Sequence, residues 1–288
     1  MGIKIITDSA ADLPQEIINE YDITVLPLLV TYNDEVYEDR VTMKPEKLLN
    51  DMRGGRTYKT AQVPIGSFID EFSKCVKEKT DAIYIGFSSE LSGTYQGAVM
   101  AKKQVFSDET EKSDINLDII DTKCASLGFG MVVYYAARLA KEGKGREEIL
   151  DAINFYSNHM EHIFTVDDLE YLYRGGRVSK TSAFVGGLLN IKPILDVKDG
   201  KLIPLEKKKG RKRVLKRIVE IMDERGVNLS DQTIAISHGD DLETAQKLQG
   251  MIKEKFGTEK FVINTIGASI GAHAGPGTIA LFFLNENR

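Results

Sequence analysis

Two short polar stretches concentrate the groups that could do chemistry: Thr60-Ala61-Gln62-Val63-Pro64 and Ser88-Ser89-Glu90-Leu91-Ser92-Gly93-Thr94-Tyr95-Gln96. Each precedes an amphipathic helical pattern, so each is expected to set hydroxyls and unpartnered first-turn N–H groups where a helix begins. Such a place suits an anion, because the helix dipole is positive there. The hydroxyls of Thr60, Ser92 and Thr94 can donate to a carboxylate or a phosphate. The same residue types are also favoured as plain helix caps, and that reading stands beside the first. A third stretch, Gly271 to Thr278, sets a lone His273 in a glycine-rich loop, where a backbone can approach a ligand closely. No Gly-x-Ser-x-Gly elbow surrounds Ser92, which argues against a nucleophile.

Other candidates are weaker. His159 and His162 stand three apart with Asp167 and Asp168 nearby, but the pair straddles an expected helix end, so no metal site is expected. His238-Gly239-Asp240-Asp241 reads as a helix start. The densest charge run, Lys207 to Arg213 followed by Lys216-Arg217, opens a helical pattern. A solvated face, a protein-docking surface and a nucleotide or nucleic-acid contact all remain open for it. No phosphate-cradling Gly-x-x-x-x-Gly-Lys-Ser/Thr and no dinucleotide Gly-x-Gly-x-x-Gly occurs.

The elements that must position these groups follow from periodicity. In the first half, strands are expected at 3–7, 23–32, 81–87 and 115–120. They alternate with helices at 14–21 (capped by Asp12), 45–53, 65–79, 93–106 and 126–141. That alternation implies a mainly parallel sheet, with polar loops after Thr7, Phe87 and Ile120 converging on its carboxyl edge. In the second half, helices are expected at 145–160, 169–173, 180–189, 211–225 and 242–256. Strands are expected at 162–166, 233–237, 261–266 and 278–284, with a hairpin, 193–197 and 201–205, around Asp199-Gly200. The expected fold class is therefore α/β, as two packed domains over 1–160 and 161–288, the second mixed and carrying the hairpin. Length (288 residues), 42% hydrophobic and 28% charged content describe an ordinary globular chain, and a net charge of −5 argues against a nucleic-acid coat. Cys75 and Cys124 form no framework, which fits a reducing, cytoplasmic setting. No signal peptide is read at the N-terminus, and Ile6 breaks the myristoylation pattern. Residues 266–284 lack formal charges but hold glycines, Pro276 and His273, so a loop and a buried strand are expected rather than a membrane span.

Taken together, several motifs resemble one family along nearly the whole chain. They are Thr7-Asp8-Ser9, Pro27-Leu28, Thr60-x-Gln62, Ser88-Ser89-x-x-Ser92-Gly93-Thr94-Tyr95-Gln96 and Asp121-Thr122-Lys123. Leu169-x-x-Leu172-x-x-Gly175-Gly176-Arg177-Val178, Gly187-Leu188-Leu189-x-x-Lys192-Pro193-Ile194-Leu195 and Gly271-Ala272-His273-x-Gly275-x-Gly277 complete the set. The chain is similar to the DegV family, the fatty-acid-binding subunits of bacterial fatty acid kinase (FakB-like). The resemblance implies two α/β domains and one bound long-chain fatty acid at their interface. Its carboxylate would be held by Thr60 and Ser92 with His273 near them, and Gly93, Thr94 and Gly277 would form the surrounding head-group loops. It also implies that the chain has no other cofactor and does no chemistry itself. A separate ATP-dependent kinase subunit would make the acyl-phosphate for phospholipid synthesis. From charge alone, and not from the resemblance, Arg174, Arg177, Arg211 and Arg213 are the candidates for docking that subunit or its nucleotide. The family often has Thr-Ser-Gln-Pro at the first motif, where this chain has Thr60-Ala61-Gln62-Val63-Pro64. The tail is expected along 184–191 and 279–284. The alternative is a small-molecule phosphotransferase related to dihydroxyacetone kinase; a nucleic-acid regulator acting through Lys207–Arg217 is a third reading. No nucleic acid and no stable membrane insertion are expected of the favoured one.

Overall fold

A computed structural model describes residues 2–107, 115–179 and 190–288. The chain opens with β1 (Lys4–Asp8), a 3₁₀ turn at Ser9–Ala11, α1 (Gln15–Glu20), β2 (Thr24–Leu26), β3 (Leu29–Tyr32), β4 (Glu35–Glu38), α2 (Pro45–Arg53) and β5 (Lys59–Ala61). It continues through α3 (Ile65–Glu78), β6 (Ala82–Gly86), α4 (Thr94–Phe106), β7 (Leu117–Asp121), α5 (Ser126–Lys141), α6 (Arg146–His159) and β8 (Met160–Thr165). The remainder is α7 (Glu170–Arg174), β9 (Ile191–Lys198), β10 (Lys201–Lys209), α8 (Arg211–Arg225), β11 (Thr233–His238), α9 (Leu242–Phe256), β12 (Lys260–Thr265), α10 (Ala268–Ala274) and β13 (Ile279–Leu284).

Three sheets result. A parallel sheet runs β2-β1-β6-β7, a mixed six-stranded sheet runs β10-β9-β8-β13-β11-β12, and a small antiparallel sheet runs β4-β3-β5. The helix between the two large sheets is α5, which packs on β1 from one side and on β8, β11 and β13 from the other. It is buried nearly all round, as its Leu, Val, Ala and Gly content requires of a helix with no solvent face. A β-carbon on Gly128 would overlap the His162 ring and lie 2.7 Å from Phe282, so a glycine is what lets this helix close on the mixed sheet.

Side-chain alternation in β13 divides two environments. Ile279, Leu281 and Phe283 join the core under α8 and α9, whereas Ala280 and Phe282 face the core shared with the first half of the chain. The hairpin of β9 and β10 turns at Asp199 (φ 50°) and Gly200 (φ 80°), as a tight primed turn demands. Its tip sits on the carboxyl edge of the parallel sheet, where Ser88 Oγ donates to the Gly200 carbonyl at 2.8 Å. No helix among the described residues is long and apolar enough to cross a membrane.

Several expectations need correcting. The run 23–32 is two strands in different sheets: β2 pairs with β1, the chain turns at Pro27-Leu28, and β3 joins the small sheet. Neither β4 nor β5 was anticipated, because each is short and rich in polar residues. Asp12 does not cap α1, which begins after Pro14; it lies in the left-handed region (φ 53°) with its carboxylate buried. Residues 271–274, expected as loop, complete the short helix α10, whose glycines and alanines let it pack close to Leu48 and Leu49 of α2. The basic run does not open a helix as a block: Lys207 to Lys209 end β10, and only from Arg211 is the chain helical. The helix expected at 180–189 lies outside the described residues.

Candidate functional site

One cavity joins the sequence candidates. It offers about 950 Å³ of space, its open mouth included, and is lined by Thr60, Gln62, Ser92, Gly93, Arg177 and His273 together with a larger apolar set. Four elements present the polar group. Thr60 stands on β5, a strand, so it is not at a helix start as its sequence context suggested. Ser92 and Gly93 lead into α4, His273 ends α10, and Arg177 follows the α7 turn at Gly175-Gly176.

Thr60 Oγ1 lies 2.7 Å from His273 Nε2. The other imidazole nitrogen, Nδ1, is buried without a partner. A buried acceptor without a partner costs less than a buried donor without one, so the proton belongs on Nε2. Then Nε2–H donates to Thr60, and the Thr60 hydroxyl proton is free for a ligand. Burial, with the nearby Arg177 charge adding to it, pushes the His273 pKa down to about 4, so the imidazole is neutral at pH 7.

Ser92 is arranged to the same end. Its Oγ accepts the Thr94 N–H at 3.2 Å and lies 2.8 Å from Thr94 Oγ1, which itself accepts the Val63 N–H at 3.4 Å. With Thr94 donating to it, Ser92 has both lone pairs occupied and its own proton directed to a third partner. Thr94 is buried and outside the cavity lining, so it backs Ser92 rather than meeting a ligand. Gln62 packs its amide oxygen against Gly93, where a β-carbon would overlap it.

Arg177 is half-buried. Its Nε and Nη2 donate to the Leu91 carbonyl at 3.1 and 2.9 Å, and Nη1 donates to the Gly175 carbonyl at 2.5 Å. These partners are neutral, and burial lowers its pKa. Among the described residues no carboxylate meets this guanidinium, so its charge at the wall suits an anion. The candidate docking residue Arg177 is thus brought to the cavity. The other three are not. Arg174 pairs with Glu170 at 3.6 Å and donates to Thr57 Oγ1 at 3.2 Å, and Arg213 is exposed on α8. Arg211 binds Asp167 at 2.8 Å, Asp241 at 2.6 Å and the Gly277 carbonyl at 2.5 Å. Gly277 therefore belongs to that cluster and not to the cavity lining; its φ of 78° and its approach to Asp167 explain the glycine.

The rest of the wall is mainly apolar, with Ser126, His162, Ser269 and Thr278 set into it. Leu28, Phe87, Leu91, Phe164, Leu172, Val197, Leu202, Ile266, Ile270, Ala280 and Phe282 contribute. Of the expected tail positions, 280 and 282 line it, 279, 281 and 283 face away, and 184–189 lie outside the described residues. His162, weighed as a metal ligand, is a wall residue: its Nδ1 donates to the Met160 carbonyl at 2.9 Å and its Nε2 accepts the Ala125 N–H at 3.2 Å. Burial lowers its pKa to about 4. His159 instead lies 3.0 Å from Asn285 Oδ1.

Sequence reasoning missed the polar frame behind the wall. Asp12 accepts from Ser126 Oγ at 2.6 Å, the Gly267 N–H at 2.6 Å and Arg40 at 3.1 Å. Asp39 accepts the Ala268 N–H at 2.6 Å and Ser9 Oγ at 3.0 Å. These carboxylates hold the start of α10, and so set where His273 falls at its end.

The slot for His273 yields a prediction. A β-carbon on Gly175 would overlap Nδ1, so Gly175→Ala must expel the ring from its slot. In proton NMR titrations of the empty protein, His273 is expected to titrate near 4 in the wild type and to return toward the ordinary value of about 6.5 in the variant. An unmoved titration would show that the ring is not held there.

Comparison with known proteins agrees with this architecture. The model of the uncharacterised DegV family matches residues 2–286. A DegV domain-containing protein of Clostridium perfringens is 40% identical over 287 residues, covering 99% of this chain and 98% of that one. The structure of DegV from Bacillus subtilis, described as a fatty acid binding protein, superposes with a TM-score of 0.87 at 30% identity, covering 99% of this chain and 100% of that one. A stearic acid-binding protein from Eubacterium ventriosum superposes with a TM-score of 0.88 at 25% identity, covering 98% of each. The chain belongs to the DegV family.

Proposed function

We propose that this protein binds one long-chain fatty acid, its tail in the apolar cavity and its carboxylate on Thr60 and Ser92. The observation that carries this reading is that one cavity joins a mainly apolar wall to two hydroxyls, a neutral histidine and a guanidinium that has no carboxylate partner among the described residues. Burying an acyl tail contributes roughly 0.8 kcal/mol per CH₂, so ~14 methylenes give an upper limit of about 11 kcal/mol. The tail then supplies affinity, and the polar cluster fixes the head. Arg177 neutralises the carboxylate, and His273 orients Thr60. The fatty-acid binding described for the Bacillus subtilis and Eubacterium ventriosum proteins supports the same ligand class here.

The cavity lies between the regions 1–160 and 161–288, which we take as the two domains. The resemblance to fatty acid kinase subunits extends the proposal. In the cytoplasm, the held carboxylate is offered to a separate ATP-dependent kinase subunit. A carboxylate oxygen attacks the γ-phosphorus, the bond to ADP breaks, and an acyl-phosphate leaves for phospholipid synthesis. Of the four candidate arginines, the exposed Arg213 is then the one left for docking, with Arg174 exposed but paired with Glu170.

The test uses the purified chain. Organic extraction and mass spectrometry are expected to recover long-chain fatty acid at close to one per chain. Addition of ATP and a DegV-partner kinase subunit is expected to yield an acyl-phosphate, trapped as the hydroxamate. Extracts without fatty acid, and failure to take up added oleate, would overturn the binding role. ATP turnover by the isolated chain would favour the phosphotransferase instead.

A further inference from the structure

Resting on the reading of the cavity as an acyl site, a census of its polar side chains leaves one hydroxyl unexplained. Ser126, His162 and Thr278 also line the cavity, yet each is satisfied within the protein. Ser126 Oγ donates to Asp12, His162 uses both ring nitrogens on backbone groups, and Thr278 Oγ1 donates to the carbonyls of Ala274 and Gly275 at 3.0 and 2.8 Å. The hydroxyl protons of Ser126 and Thr278 and both ring nitrogens of His162 are thus committed within the protein. Ser269 differs. It is 4% exposed and lines the cavity; its hydroxyl bonds to none of the described side chains or backbone groups and keeps contact with the cavity space, unlike the fully enclosed His273 Nδ1. The carbonyl four residues before it, at Thr265, instead accepts from Arg40 at 2.6 Å.

Its position gives the free hydroxyl meaning. Ser269 and His273 are four apart on α10, so they share a face about one turn, ~6 Å, from each other. Ile266 and Ile270 flank Ser269 on the same wall. Proceeding from the head cluster, the ligand would meet Thr60, Ser92 and His273, and then a lone hydroxyl within apolar surroundings. A hydrocarbon tail lying against this hydroxyl would displace water and leave it unpaired, which is unfavourable, and a complementary group on the ligand relieves that cost.

We infer that Ser269 is a specificity position for fatty acids that carry an oxygen substituent, such as a hydroxyl or keto group, on the part of the chain nearest the carboxylate. A hydrocarbon chain leaves Ser269 unpaired; a chain with oxygen at the matching carbon pairs with it.

The experiment is a binding series. Octadecanoic acid and hydroxyoctadecanoic acids differing in hydroxyl position are titrated into lipid-stripped wild type, Ser269→Ala and Ser269→Thr. One positional isomer is expected to bind wild type about tenfold more tightly than it binds Ser269→Ala. Ser269→Thr is expected to keep that preference, while octadecanoic acid changes less than about twofold between wild type and Ser269→Ala. Because Ser269 bonds nothing in the protein, Ser269→Ala is expected to melt with the wild type. An equal loss for every ligand, octadecanoic acid included, would make Ser269 a head-group or structural residue and overturn the inference. So would a series in which no isomer responds. Wild type that fails to bind octadecanoic acid at all would instead refute the acyl reading of the cavity.

Discussion

Asp12→Ala is expected to lower stability by about 3 kcal/mol, at the low end of the cost of breaking a buried ion pair, because the Arg40 side chain is 26% exposed and keeps Asp39 beside it. The carboxylate is fully buried and serves three elements at once. Without it, Arg40 would keep a guanidinium whose Nε is already buried and unpartnered, and the Gly267 N–H and the Ser126 hydroxyl would lose an acceptor. Asp12 also occupies the left-handed region at φ 53°, which asparagine tolerates and alanine resists by about 1 kcal/mol. Asp12→Asn is therefore expected to lose less than Asp12→Ala, since it keeps the backbone and part of the hydrogen bonding. Urea unfolding with unchanged m-values checks both. The local consequence is measurable as well: amide hydrogens at Gly267 and Ala268 should exchange faster, because the start of α10 loses an anchor. A melting midpoint for Asp12→Ala within a degree of wild type would mean that the Arg40 and Asp39 contacts hold the frame unaided.

That frame shows where sequence reading stopped. Helices α3, α5, α8 and α9 could be read because apolar residues repeat with helical spacing over many turns, as at Phe68, Phe72 and Cys75. The Asp199-Gly200 turn was legible for a local reason, two adjacent residues suited to positive φ. The small sheet was not, since β5 spans only Lys59–Ala61 and its polar Thr60 looks like a helix lead-in. Asp12 carries the local look of a cap, a carboxylate just ahead of Leu13-Pro14. Its actual partners lie 28, 114 and 255 residues away. No local pattern reports such pairings. Arg177 was singled out by its charge alone, and charge does not say whether a guanidinium faces solvent or a cavity. Ser269 carried no signal, because a serine among glycines and alanines reads as loop.

Replacing both head-group hydroxyls is expected to have the largest effect on ligand binding. A hydrogen bond to a charged group contributes about 1.5–3 kcal/mol. Losing two, with water replacing part of the loss, should raise the Kd for a long-chain fatty acid by on the order of a hundredfold to a thousandfold in Thr60→Ala/Ser92→Ala. Protein purified from cells should then come out largely empty. The fold should survive. Ser92→Ala removes an acceptor at the start of α4, worth about 1 kcal/mol, and Thr60→Ala leaves only His273 Nε2 without its partner. Preference among chain lengths should remain as in wild type, because the tail's wall is untouched. This pairing of outcomes separates head from tail: affinity falls and selectivity persists. A variant that retained lipid undiminished would move the carboxylate away from Thr60 and Ser92. Arg177 would then be the group to pursue, since its charge at the cavity wall would still require an anion.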